Sequence, residues 1–195
     1  LRGNTPIGYF KKSRMCINKC VEKKLISHNP TNGIRLSQFD EVTKEILTLK
    51  EIQKLAVTSC PNNEVKRAFL FSCYCGLRWC DVYQLRYKDV DFPARRLTII
   101  QQKVQTHSKS AILHLNLNHT ALKLLQKCNG DREDLVFSLP SYSYTIRILR
   151  KWVIDANIRK HITFHCARHS FITNIMANGA NIKTAASLAG HSTTR

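Results

Sequence analysis

His165 and Arg168 stand three residues apart in "TFHCARHSFIT", residues 163 to 173. On a helix this spacing puts both side chains on one face of a first turn, where the exposed N–H groups also favour an anion. An imidazole that can move a proton beside a guanidinium that can hold two oxygens is half of a phosphodiester site. Other residues fit the rest of it. Arg78 follows Gly76 at a helix start, where its planar fork can grip phosphate oxygens in a way lysine cannot reproduce. His191 follows the helix stop at Gly190, and Lys103 lies within a polar hairpin turn.

Two other readings of the same stretch compete. His165 and His169 have the i, i+4 spacing of helical zinc ligands, but Cys166 stands where a metalloprotease helix places its glutamate, and no third ligand is near. Residues 166 to 188 also read as a helix-turn-helix, yet the second helix, "NIKTAASLA", is Ala-rich where base-reading Arg, Asn or Gln belong.

The elements that must position these groups follow from the pattern. Ile7, Phe10, Ile17, Val21 and Leu25 form one helical stripe, with Lys11, Lys12 and Lys19 off it: a basic amphipathic helix suited to a DNA backbone. "NPTNG" at 29 to 33 breaks it and leads into a linker, so a boundary is expected between residues 1–40 and 41–195. Thr48 and Glu51 make a capping box. "NEVKRAFLFSCYCG" reads as a buried helix stopped by Gly76, "RWCDVYQLRYKDV" as a short amphipathic helix, and residues 96 to 117 as a hairpin with a long polar turn. Three further helices are expected: "NHTALKLLQKC" up to the Asn129-Gly130 stop, "SYTIRILRKWVIDANI", and His165 to Met176 with Phe171, Ile172, Ile175 and Met176 buried. Asn181 would cap a last one running to Leu188. The fold class is mainly α with one small antiparallel sheet.

Charge narrows the partner. With 31 Lys and Arg against 13 Asp and Glu, the net charge is +18, and a polyanion follows, double-stranded DNA first among them. No signal peptide or spanning apolar run is visible, so the expectation is no membrane and a cytoplasmic, nucleoid-associated chain. The eight cysteines show no CxxC knuckles and read as reduced core thiols in a reducing compartment.

"CGLRWCDVYQL", "QQKV", "HCARHSFITNIMANG" and "LAGHS" resemble, in order and separation, the successive boxes of the tyrosine recombinases, the phage-type integrases, over roughly residues 45 to 195. The N-terminal helix is similar to the end of the core-binding domain that precedes their catalytic domain. The resemblance implies that Arg78 and Arg168 bind the non-bridging oxygens of the scissile phosphate and that His191 hydrogen-bonds it. His165 would assist proton transfer at the nucleophile, Asp81 would buttress the site, and Lys103 would protonate the leaving 5′-oxygen, with Lys109 its competitor. It implies no metal and no cofactor, a 3′-phosphotyrosyl intermediate, and a tetramer on DNA. The family's tyrosine follows the LxGH histidine, whereas the tyrosines here (9, 74, 83, 87, 142 and 144) all precede it, so a fragment without its nucleophile is expected. The alternatives are a type IB topoisomerase-like enzyme, which shares these residues, and a helix-turn-helix regulator.

Overall fold

The computed structural model describes residues 4–35, 45–100, 112–126 and 130–188. The chain divides into two compact units, Leu1–Thr43 and Lys44–Arg195.

In the first unit, α1 (Thr5–Glu22) is the basic helix, and Pro6 sits in its first turn, where a missing N–H costs nothing. Ile7, Phe10, Ile17 and Val21 are half-buried, and Lys11, Lys12 and Lys19 are exposed. Leu25, expected on the stripe, lies past the helix end and is exposed. "NPTNG" is more than a break. The Asn29 side-chain oxygen accepts from the Thr31 amide and hydroxyl, both at 2.7 Å. Arg14 of α1 donates to the carbonyls of Thr31 at 2.9 Å and Ile34 at 2.8 Å. The turn is thus sewn to the helix by polar side chains, an arrangement with no periodic signature.

The second unit is built around α3 (Asn63–Cys75), whose run of apolar residues is buried nearly all round. α3 packs against α2 (Leu49–Val57), α5 (His119–Leu125), α6 (Tyr142–Asp155) and α7 (Phe164–Ala177). Phe69 anchors the centre, edge-on to Trp152 at 6.0 Å and to Phe164 at 5.7 Å between ring centroids. The Thr48/Glu51 capping box forms at α2, with Thr48 N–H to Glu51 Oε2 at 2.7 Å.

A three-stranded antiparallel sheet runs in the order β1 (Val90–Asp91), β2 (Arg96–Ile100), β3 (Ile112–Asn116). Leu97 pairs with Leu115 and Ile99 with Leu113, so these four face the core while their neighbours alternate outward. The hairpin is therefore where its alternation placed it, and β1 adds a third strand too short for any pattern.

Three helices differ from expectation. α4 (Trp79–Tyr83) is a single turn, followed by a 3₁₀ turn at Tyr87–Asp89, because Val90 is drawn into the sheet. α5 stops at Leu125, where Gln126 takes a positive φ of 60°. On α7 the buried face is Phe164, Cys166, Ala167, Arg168 and Ser170; Phe171, Ile172 and Ile175 are half-exposed and Met176 is exposed. Small residues allow α7 to lie close on α3, and the large apolar ones are displaced to the margin. α8 (Ile182–Leu188) begins as expected, with Asn181 Oδ1 accepting from the Thr184 amide at 2.8 Å. Among the described residues, no helix is long and apolar enough to cross a membrane.

Candidate functional site

The site begins at a turn. α3 ends on Gly76 with φ +71°, its N–H donating to the Ser72 carbonyl at 2.8 Å, a left-handed stop that suits glycine. The Ser72 hydroxyl, fully buried, donates to the Leu77 carbonyl at 2.7 Å and closes the turn from the other side. Glycine is needed for space as well: a Cβ at residue 76 would lie 2.5 Å from Cδ1 of Phe171.

This turn aims Arg78 and fixes Arg168. Arg78 precedes α4, and its N–H donates to Asp81 Oδ2 at 3.3 Å, while its Nη1 lies 3.9 Å from the same oxygen. The Asp81 side chain is only 1% exposed, so this carboxylate serves Arg78 from inside the protein. From α7, Arg168 reaches the same place: it is 2% exposed and its Nη1 donates to the Gly76 carbonyl at 2.8 Å. Among the described residues, Nη2 of Arg168 and Nη1 of Arg78 are buried without a hydrogen-bond acceptor.

The electrostatics are those of an anion receptor. Burial pulls Arg168 down to about 10, and the charge of Arg78 adds to this against the opposing pull of Asp81. Arg168 therefore stays cationic at neutral pH. Burial also pushes the Asp81 carboxyl up, against the charges of both arginines. Two cations face one carboxylate in a desolvated pocket, with guanidinium N–H groups left over. Buried polar groups are nearly always bonded, and an anion with several oxygens would satisfy these.

Three of the residues expected at the site, Arg78, Asp81 and Arg168, are thus gathered by the Gly76 turn. His165 stands on the exposed part of the first turn of α7, its ring 4.6 Å from that of His169 and edge-on to it. Lys103, its competitor Lys109, and His191 lie outside the described residues. Lys11, Lys12 and Lys19 belong to the first unit. Two contributors escaped the sequence reading: the Gly76 carbonyl and the Ser72 hydroxyl. Gly76 signalled a helix stop, but nothing local announces which side chain its carbonyl receives. Beside Asp81 a cavity of about 240 Å³ opens between Cys80, Gln84, Leu85 and the end of β2. Among the described residues, no group of three or more His, Cys, Asp or Glu is placed to hold a metal.

Comparison with known proteins agrees with this architecture. The tyrosine recombinase of Pseudothermotoga lettingae is 31% identical over 170 residues, covering 84% of this chain and 58% of its own length. The tyrosine recombinase XerC of Oceanobacillus iheyensis is 27% identical over 180 residues, covering 85% of this chain and 59% of its own length. The chain thus spans under two thirds of the length of these relatives. Among solved structures, the Tn1549 transposon integrase in complex with transposon right end DNA superposes with a TM-score of 0.77 at 19% identity, over 98% of this chain and 73% of that one. A lambda integrase dimer bound to a COC′ core site gives 0.71 at 17% identity, over 94% of this chain and 68% of that one. The mostly helical unit with its small antiparallel sheet is the fold these integrases share. The model of the phage integrase family matches residues 45–195, and with the recombinase identity above it assigns the chain to that family.

Proposed function

We propose that residues 41–195 are the phosphate-handling part of a tyrosine recombinase catalytic domain, and that residues 1–40 are the end of its DNA-binding domain. The observation that carries this is the pair of buried guanidinium nitrogens, on Arg78 and Arg168, without acceptors among the described residues. One scissile phosphate of double-stranded DNA supplies the missing oxygens. As the phosphorus becomes pentacoordinate its extra charge develops between these preorganised donors. A tyrosine other than the six in this sequence attacks; the P–O5′ bond breaks, the 5′-oxygen takes a proton from Lys103, and a 3′-phosphotyrosyl link retains the bond energy for rejoining. His165 handles the proton of the nucleophile and His191 bonds the phosphate. No metal or cofactor takes part. The transposon right end DNA held by the Tn1549 integrase supports ends of mobile DNA as the substrate; self-association on DNA, as a tetramer, in the cytoplasm belongs to the same proposal.

A nicked suicide substrate tests the reading. Residues 1–195 alone bind duplex DNA without forming a covalent adduct. The full-length protein carrying the tyrosine forms one without divalent metal and loses about 10²–10³-fold in rate with Arg168→Ala while still folded. A non-catalytic helix-turn-helix regulator gives no adduct in either form, and that result would replace the proposal.

A further inference from the structure

Where the chain enters the second unit, three consecutive backbone polar groups are held by side chains rather than by other backbone. The Leu47 N–H donates to Ser170 Oγ at 2.7 Å, and the Leu47 carbonyl accepts from Asn174 Nδ2 at 3.1 Å. The preceding carbonyl, of Ile46, accepts from Lys160 Nζ at 2.8 Å. Leu47 itself is fully buried. The Ser170 hydroxyl uses its own proton on the Cys166 carbonyl at 2.7 Å, so it sits locked between α7 and the incoming chain. Lys160 also grips Glu51 at 2.7 Å, tying the same stretch to the start of α2.

Ser170 lies two residues beyond Arg168, and Asn174 a further helical turn along. Phe171, between them, presses on the Gly76 turn. α7 is thus held on both sides: by a ring against the turn that receives Arg168, and by a polar clasp on Leu47. Resting on the reading of Arg168 as a phosphate ligand, we infer that Ser170 and Asn174 are positioning residues: their clasp on Leu47 sets the rotation of α7, and with it the reach of Arg168 to the Gly76 carbonyl and the phosphate. Beside the apolar packing of α7 on α3, the Arg168–Gly76 bond is one directional tie, and the clasp adds a second and a third along the same helix. A displacement near 1 Å at a reacting centre can cost on the order of 10² in rate, so a modest loosening is readable.

In the full-length protein, adduct formation is measured in single turnovers at saturating DNA, alongside DNA affinity and thermal melting. The variants are Ser170→Ala, Asn174→Ala, their double, and Asn174→Asp, which keeps the shape but cannot donate to a carbonyl; Arg168→Ala is the control. The expected result is a loss of about tenfold or more in rate for the double variant. Asn174→Asp should match Asn174→Ala, DNA affinity should stay within about twofold, and melting should stay well above the assay temperature. If the double variant does not fold, the two Asn174 variants decide by the same criterion. Rates within twofold of the parent, while Arg168→Ala loses about 10²–10³-fold, overturn the clasp but keep the site. A full-rate Arg168→Ala adduct overturns the phosphate reading and the clasp with it.

Discussion

The guanidinium of Arg168 and the carbonyl of Gly76 meet at 2.8 Å across 92 positions of sequence. That carbonyl ends α3, where peptide dipoles concentrate partial negative charge, so the bond both satisfies a helix terminus and fixes the plane of the guanidinium. Arg78 leaves the same turn two residues later. The α3 stop therefore serves as the common mount of two cations.

Gly76→Ala tests the mount. The substitution puts a side chain on a backbone with φ +71° and drives a Cβ to within 2.5 Å of Phe171. A left-handed residue with a Cβ costs roughly 1–2 kcal/mol, and the clash adds to it. The melting temperature falls, and adduct formation by a form that carries the proposed tyrosine nucleophile falls further than the unfolded fraction explains.

Arg168→Lys separates charge from geometry. The ammonium keeps the net charge but has no fork with which to hold the Gly76 carbonyl and a phosphate oxygen together. DNA affinity should change by less than about threefold, since most of it comes from the charge of the whole chain. The single-turnover rate should drop by roughly 10²-fold or more. A rate left unchanged by Arg168→Lys would show that charge alone matters.

Acid stability should depend on Glu51. Burial pushes its carboxyl up, but hydrogen bonds from Lys160 and from Thr48, with the Lys160 charge, outweigh this and hold it below the usual carboxylate range. A carboxyl lowered on folding contributes stability that is fully present above its unfolded pKa, near 4.3, and lost as pH falls through the lower folded value. Denaturation of the parent and of Glu51→Gln should differ at pH 7 and converge near pH 3. A gap that persists in acid would place the effect elsewhere.

Thiol chemistry should follow burial. Cys16 is exposed, whereas Cys73 and Cys75 are buried; burial pushes Cys73 well up and Cys75 up to about 12. Iodoacetamide at pH 8, read by mass spectrometry, should label Cys16 in the native chain and the other two only after denaturation.

Salt dependence measures the contribution of α1. Each phosphate contact adds about 0.9 to the slope of log K against log salt. Neutralising the exposed Lys11, Lys12 and Lys19 should lower the slope by up to about 2.7, and an unchanged slope would remove this helix from the DNA surface.

What could be read beforehand was whatever leaves a local mark. The Thr48/Glu51 box, the Gly76 stop, the alternation in β2 and β3 and the Asn181 cap each rest on residues within a few positions of one another. The clustering of Arg78, Asp81 and Arg168 came from family resemblance joined to spacing. The misreadings share one cause, long-range competition. Phe171 was expected in the core, but the contact of α7 with α3 selects small residues and one buried arginine, and Phe171 lies at the edge against Gly76. "NPTNG" was legible as a break and illegible as a turn sewn to Arg14. The hydroxyls of Ser72 and Ser170 carry no pattern at all, since their value depends on the carbonyl or amide that folding delivers to them.

The aromatic packing leaves the chain with two separate optical reporters. Trp152 is fully buried, its indole N–H bonded to the Thr58 carbonyl at 3.2 Å, so its emission stays blue until the core opens. Trp79 adjoins Arg78 and is half-buried among Tyr83, Tyr142 and Phe164, with centroids 5.0–5.4 Å away. These are the only tryptophans in the sequence. Replacing either with phenylalanine leaves a single-colour protein: one version fluoresces according to whether the core is intact, the other according to what lies beside Arg78.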